Sequence, residues 1–201
     1  RLTYQGGMVA YGGSFHNGSD SGKYLSIADT IIETGKFARV TKEGDVTPEL
    51  SRMPVYPYFL VGVFKLFGLG NLHAVVVIQI IVEISTIIGI ALAATAINQR
   101  LALPCAVFAA VLPNLLVHTA YVLTENLFLM FFAWGLCTTL WALRAERPFW
   151  LLAAAGIFFS ISMYTRPVMV FFPLFLCPKT SDPCRTQYRT KVLLFNGTNS
   201  R

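Results

Sequence analysis

The feature that most constrains this chain is the scarcity of charge between Leu72 and Cys177. Long apolar runs follow one another there, interrupted by Glu83, Arg100, Glu125, Arg144, Glu146, Arg147 and Arg166. A helix rises ~1.5 Å per residue, so ~20 apolar residues match the ~30 Å hydrocarbon core of a bilayer. Residues 72 to 97, 101 to 123, 126 to 143 and 149 to 165 meet or approach that length, and residues 167 to 177 read as the start of a fifth helix. Composition agrees, since 55% of the 201 residues are hydrophobic and 13% charged, against about 25% charged in soluble domains. The expectation is an all-α polytopic membrane protein, integral and multi-pass, in the plasma or inner membrane or, in a eukaryote, the endoplasmic reticulum.

Residues 1 to 71 have a different character. Gly6, Gly7, Gly12, Gly13 and Gly18, mixed with Ser14, Asn17 and Ser19, suit irregular structure. Over residues 23 to 36, Tyr24, Ile27, Ala28 and Ile31 recur at helical spacing, with Asp20 or Ser21 as candidate N-cap and Gly35 as stop. Residues 41 to 51 read as polar loop. Residues 58 to 67 are apolar apart from Lys65 but too short to cross, which fits a helix lying at the membrane interface with Tyr56 and Tyr58 at headgroup level and Lys65 snorkelling. The organisation expected is a loop with juxtamembrane helices over 1 to 71, a bundle over 72 to 177, and a polar basic tail over 178 to 201 that is disordered or foreign to the bundle.

A net charge of +6 does not point to nucleic acid, because no Lys/Arg run is interleaved with aromatics. It reads as topology. The short connections holding Arg100, Arg144 and Arg147 are basic, whereas residues 118 to 125 hold no base, so the basic connections belong on the cytoplasmic side. By parity, residues 1 to 71, the Thr124-Glu125-Asn126 turn and Arg166 share the extracytoplasmic face. A loop delivered across a membrane needs a preceding signal or helix, so a segment ahead of Arg1 is expected. Cys105 and Cys137 sit in apolar runs and Cys177 and Cys184 flank prolines, with no metal-binding spacing. His16, His73 and His118 share no ligand spacing, and no metal or cofactor is expected, divalent-metal dependence being left open.

This topology gathers Asp20, Arg52, Glu125 and Arg166 at one membrane face. A carboxylate there can take a proton from an attacking hydroxyl, and a guanidinium can hold a phosphate. Ser19-Asp20-Ser21-Gly22-Lys23-Tyr24, followed by Ile27-Ala28 and Glu33-Thr34-Gly35-Lys36-Phe37, resembles the first extracytoplasmic loop of the dolichyl-phosphate-mannose protein mannosyltransferase superfamily. Arg52-Met53-Pro54-Val55-Tyr56-Pro57-Tyr58-Phe59, with Phe64-Lys65-Leu66-Phe67-Gly68, is similar to the basic-Pro-aromatic segment and interfacial helix that follow in those enzymes. Thr124-Glu125-Asn126-Leu127 and Thr165-Arg166-Pro167 resemble their Thr-acid pair opening a membrane helix and their Thr-Arg-Pro at a helix end.

The resemblance implies a partial GT-C helix bundle and an inverting glycosyltransferase. Sugar would pass from a polyprenyl-phosphate donor to a hydroxyl acceptor on a lipid, glycan or protein. It implies Asp20 as general base, Glu125 as a second acid of the site, and Arg52, with Tyr24 and Arg166, on the phosphate side. Ser21 stands where relatives often carry a second acid, and Met53 separates Arg52 from Pro54. The family is longer than this chain, so an incomplete, by itself inactive piece is expected. The competing reading is a transporter or flippase-like protein that uses Glu83 and Glu125 as pathway carboxylates, or an inactive membrane subunit. Glu83, mid-span, is expected to face the bundle.

Overall fold

The computed structural model describes residues 19–40, 46–112 and 124–167, with the side chains of Ser19, Asp20 and Val40 excepted. All of these belong to one unit, Arg1–Met169. Expectations for residues 1 to 18, 113 to 123 and 168 to 201, including the tail and the fifth helix, lie outside the described residues.

Helix α1 runs Ser19–Thr34. It begins a turn earlier than its apolar spacing indicated, so Asp20 and Ser21 lie within its first turn instead of capping it. Gly35, at φ 71°, stops it, with its N–H donating to the Ile31 carbonyl at 2.9 Å, a left-handed conformation that glycine adopts without a Cβ clash. Ile27, Ala28 and Ile31 are buried as their spacing requires, and Leu25 is buried too. After it, β1, Ala38–Val40, pairs antiparallel with β2, Val46–Pro48, in the register Ala38 to Pro48 and Val40 to Val46; β2 falls in the stretch expected as plain loop over residues 41 to 51, of which residues 41 to 45 lie outside the described residues.

Helix α2, Val55–Phe67, starts three residues before its apolar run because Pro57 falls in the first turn, where a missing N–H costs nothing. One face of it packs into the protein. Tyr56, Leu60, Val61 and Phe64 are buried in one cluster with Leu25, Ile27, Ala28 and Ile31 of α1 and with Val75, Val82 and Leu127. Tyr56, expected at headgroup level, is 1% exposed; Tyr58 is half exposed.

Helix α3, Leu72–Thr95, has 24 residues, about 36 Å at 1.5 Å per residue. Asn71 caps it, its side chain accepting from the Ala74 N–H at 3.1 Å. Among the described residues it is the one helix long and apolar enough to cross a membrane. Its polarity is inverted relative to a soluble protein: Gln79, Glu83 and Thr86 face inward, while Val77, Ile80, Ile81, Ile84, Ile88 and Leu92 face outward. A 3-10 turn, Gln99–Leu101, leads into α4, Ala102–Val111; the crossing expected over residues 101 to 123 is described only that far, its helical part having 10 residues.

Helices α5, Glu125–Ala142, and α6, Phe149–Thr165, have 18 and 17 residues. Residue Gly135 lets them meet, since a Cβ there would sit 2.8 Å from the Phe159 ring. Ser162 Oγ donates to the Phe128 carbonyl at 3.3 Å, and Trp134 Nε1 to Ser85 Oγ at 3.0 Å, tying α6 to α5 and α5 to α3. Arg166 is extended, at φ −144° and ψ 125°, so α6 ends at Thr165.

Candidate functional site

The cleft residues come from the same end of several elements. The N–H end of α5 carries Glu125, the C-terminal end of the antiparallel α6 carries Arg166, and the segment entering α2 carries Arg52. With Tyr24 of α1, Met53 and Thr124 these line an open cleft of about 300 Å³. At the opposite end of the bundle, Arg144 donates to the Ile97 carbonyl at 2.9 Å beyond the end of α3, so the basic connections and the cleft are at opposite ends.

Arg166 and Glu125 form an ion pair at 2.9 Å, with the carboxylate 19% and the guanidinium 41% exposed. Thr124 Oγ1 donates to the other carboxylate oxygen at 3.4 Å. Residue Glu125 therefore does more than sit favourably at a helix N-terminus: it holds Arg166, which sequence reading placed on the phosphate side. Arg52 lies over the Tyr24 ring, 4.9 Å from its centroid. Tyr24 meets Tyr56 edge-on at 5.2 Å, and Tyr56 stacks on Phe59 at 5.8 Å.

Two supports were missed in the sequence. Glu49 is 7% exposed and accepts from Ser51 through both N–H, at 2.8 Å, and Oγ, at 2.5 Å, bracing the turn into Arg52. Burial alone would raise its pKa, but the Ser51 hydrogen bonds and the charges of Arg39 and Arg52 outweigh it, and the net shift is downward. Nothing in its local spacing distinguished it from other loop acids. Tyr56 is the other: Gln79 Nε2 donates to its hydroxyl at 3.4 Å. Burial, then Tyr24, then Glu125 push that phenol well above its usual pKa, so it stays neutral.

Tyr24, Arg52, Glu125 and Arg166 are thus brought together. Asp20 lies in the first turn of α1, four residues ahead of Tyr24, and its side chain is outside the described residues. Glu83 faces the bundle and not the cleft. Among the described residues, no three His, Cys, Asp or Glu side chains cluster as metal ligands, and no metal site is assigned from them.

Arg52, Glu125 and Arg166 thus gather at one end of a bundle of apolar helices. Residues 48–185, more than half of the chain, match the family model described as dolichyl-phosphate-mannose-protein mannosyltransferase, and the chain belongs to that family of membrane-embedded glycosyltransferases of GT-C type. The matched stretch includes Arg52, Glu125 and Arg166; Asp20 and Tyr24 precede it. No curated protein and no solved structure matches the chain.

Proposed function

We propose that the protein transfers a sugar from a polyprenyl-phosphate carrier to a hydroxyl acceptor at the extracytoplasmic membrane face, with inversion at the anomeric carbon. The observation that carries this reading is the convergence of Arg52, Glu125 and Arg166, from three separate segments, on one polar cleft at the end of an apolar bundle. The lipid tail lies along the bundle and its phosphate meets the guanidiniums, which steady the charge that develops as the phosphate leaves. Asp20 takes the proton of the acceptor hydroxyl as that oxygen attacks the anomeric carbon. The bond from that carbon to the phosphate oxygen breaks, and the electron pair departs with the phosphate. Helices α3, α5 and α6, and the segment 101 to 123 of which α4 is part, cross the membrane with Arg100, Arg144 and Arg147 on the cytoplasmic side. No metal is required by this scheme.

The test is transfer from a labelled polyprenyl-phosphate sugar by the full-length protein purified from membranes. Asp20→Asn lowers turnover about 100-fold or more if the carboxylate is the base, and Arg52→Ala raises KM for the donor. Near wild-type turnover in Asp20→Asn would remove the assignment of the base.

A further inference from the structure

Arg52 has to present its guanidinium to the cleft from an irregular segment, where a long side chain has several rotamers to choose among. The structure supplies a surface for it. The guanidinium carbon stands 4.9 Å above the centre of the Tyr24 ring, within the distance at which the negative ring face attracts a cation. Tyr24 is itself fixed: the ring of Tyr56 meets it edge-on, at 5.2 Å and 76°, and Tyr56 is buried, stacked on Phe59 and tied to Gln79 of α3. The shelf thus runs from a membrane-length helix through α2 and α1 to the charged group.

We propose that Tyr24 is a positioning residue for Arg52, acting through its ring face and not through its hydroxyl. The proposal rests on the reading of Arg52 as a ligand of the donor phosphate. It recasts Tyr24, which the residue pattern placed beside the phosphate as a ligand. The attraction between a ring face and the guanidinium needs no hydroxyl, and it narrows the positions from which the cation can meet phosphate oxygens.

The experiment is steady-state transfer from a labelled polyprenyl-phosphate sugar by the purified full-length protein bearing Tyr24→Phe, Tyr24→Leu, Arg52→Ala, and Tyr24→Leu with Arg52→Ala. The expected result is a donor KM within about twofold of wild type for Tyr24→Phe and raised fivefold or more for Tyr24→Leu at little change in kcat. Tyr24→Leu then adds nothing in the Arg52→Ala background. If the Leu variant does not accumulate, Tyr24→Gln serves as the ringless variant, since it retains hydrogen-bonding capacity. The proposal is overturned if Tyr24→Phe raises KM as much as the ringless variant, or if the ringless variant binds donor like wild type. It is equally overturned if the ringless penalty persists in full without Arg52. A wild-type donor KM in Arg52→Ala overturns the phosphate reading itself, whereas a raised KM there with an unaffected ringless variant defeats only the role of Tyr24.

Discussion

The ion pair between Glu125 and Arg166 joins the first residue of one helix to the residue just past the end of the next, and it lies partly open to solvent. Its strength should therefore be that of a screened surface pair. In a double-mutant cycle of Glu125→Gln and Arg166→Ala, thermal unfolding in detergent should give a coupling of about 0.5–1 kcal/mol, shrinking as salt is added. Asp29, in contrast, is held against its charge. Burial first, and then the neighbouring Glu33, raise its pKa from 3.8 to about 6. A carboxyl with a raised folded-state pKa contributes most when both states are protonated, so its contribution is intact below about pH 3.8 and is lost as pH rises through about 6. Asp29→Asn should accordingly be more stable than wild type at pH 7.5, by on the order of 1 kcal/mol once screening at a half-buried site is allowed for. The two proteins should converge near pH 3.5, as read from melting curves across pH.

Among the elements, the contact between α5 and α6 is the one most exposed to a single substitution. Gly135 leaves no room for a side chain, because a Cβ would meet three atoms of the Phe159 ring at 2.8–3.1 Å. Gly135→Val should destabilise the pair by about 1–3 kcal/mol through overpacking, measured as a lowered unfolding midpoint, whereas Gly156→Val should have a smaller effect because nothing lies within 4 Å of that position. The bounds of α3, α5 and α6 were nearly legible from hydropathy, since a polar amide, charge and proline punctuate these runs at Asn71, Glu125, Arg144 and Pro148. The hairpin of β1 and β2 was not, because three-residue strands carry too little periodicity to stand out from polar loop. The start of α1 was misplaced for a related reason. Asp20 and Ser21 are good caps, yet residues at the head of a helix serve equally well inside its first turn.

For the whole molecule, the arrangement of apolar Ile, Val and Leu outside and Gln79, Glu83 and Thr86 inside α3 is the pattern of a helix solvated by lipid. If the bundle is oriented as proposed, a single cysteine replacing exposed Glu33 should react with an impermeant maleimide from the extracytoplasmic side, and one replacing exposed Glu146 only after permeabilisation. Equal labelling of both would contradict the orientation. Apolar content, helical class, the order of the runs and the family resemblance were all available from the residues, because hydrophobicity and local periodicity are properties of neighbouring positions. Tyr24, Arg52, Glu125 and Arg166 could be named as a set from parity and motif. Their contacts could not: that Glu125 grips Arg166, that Arg52 rests on Tyr24, and that Tyr56 is buried and not at a headgroup all depend on how α1, α2, α5 and α6 pack. Packing joins side chains distant in sequence, and no local pattern encodes which of them will touch.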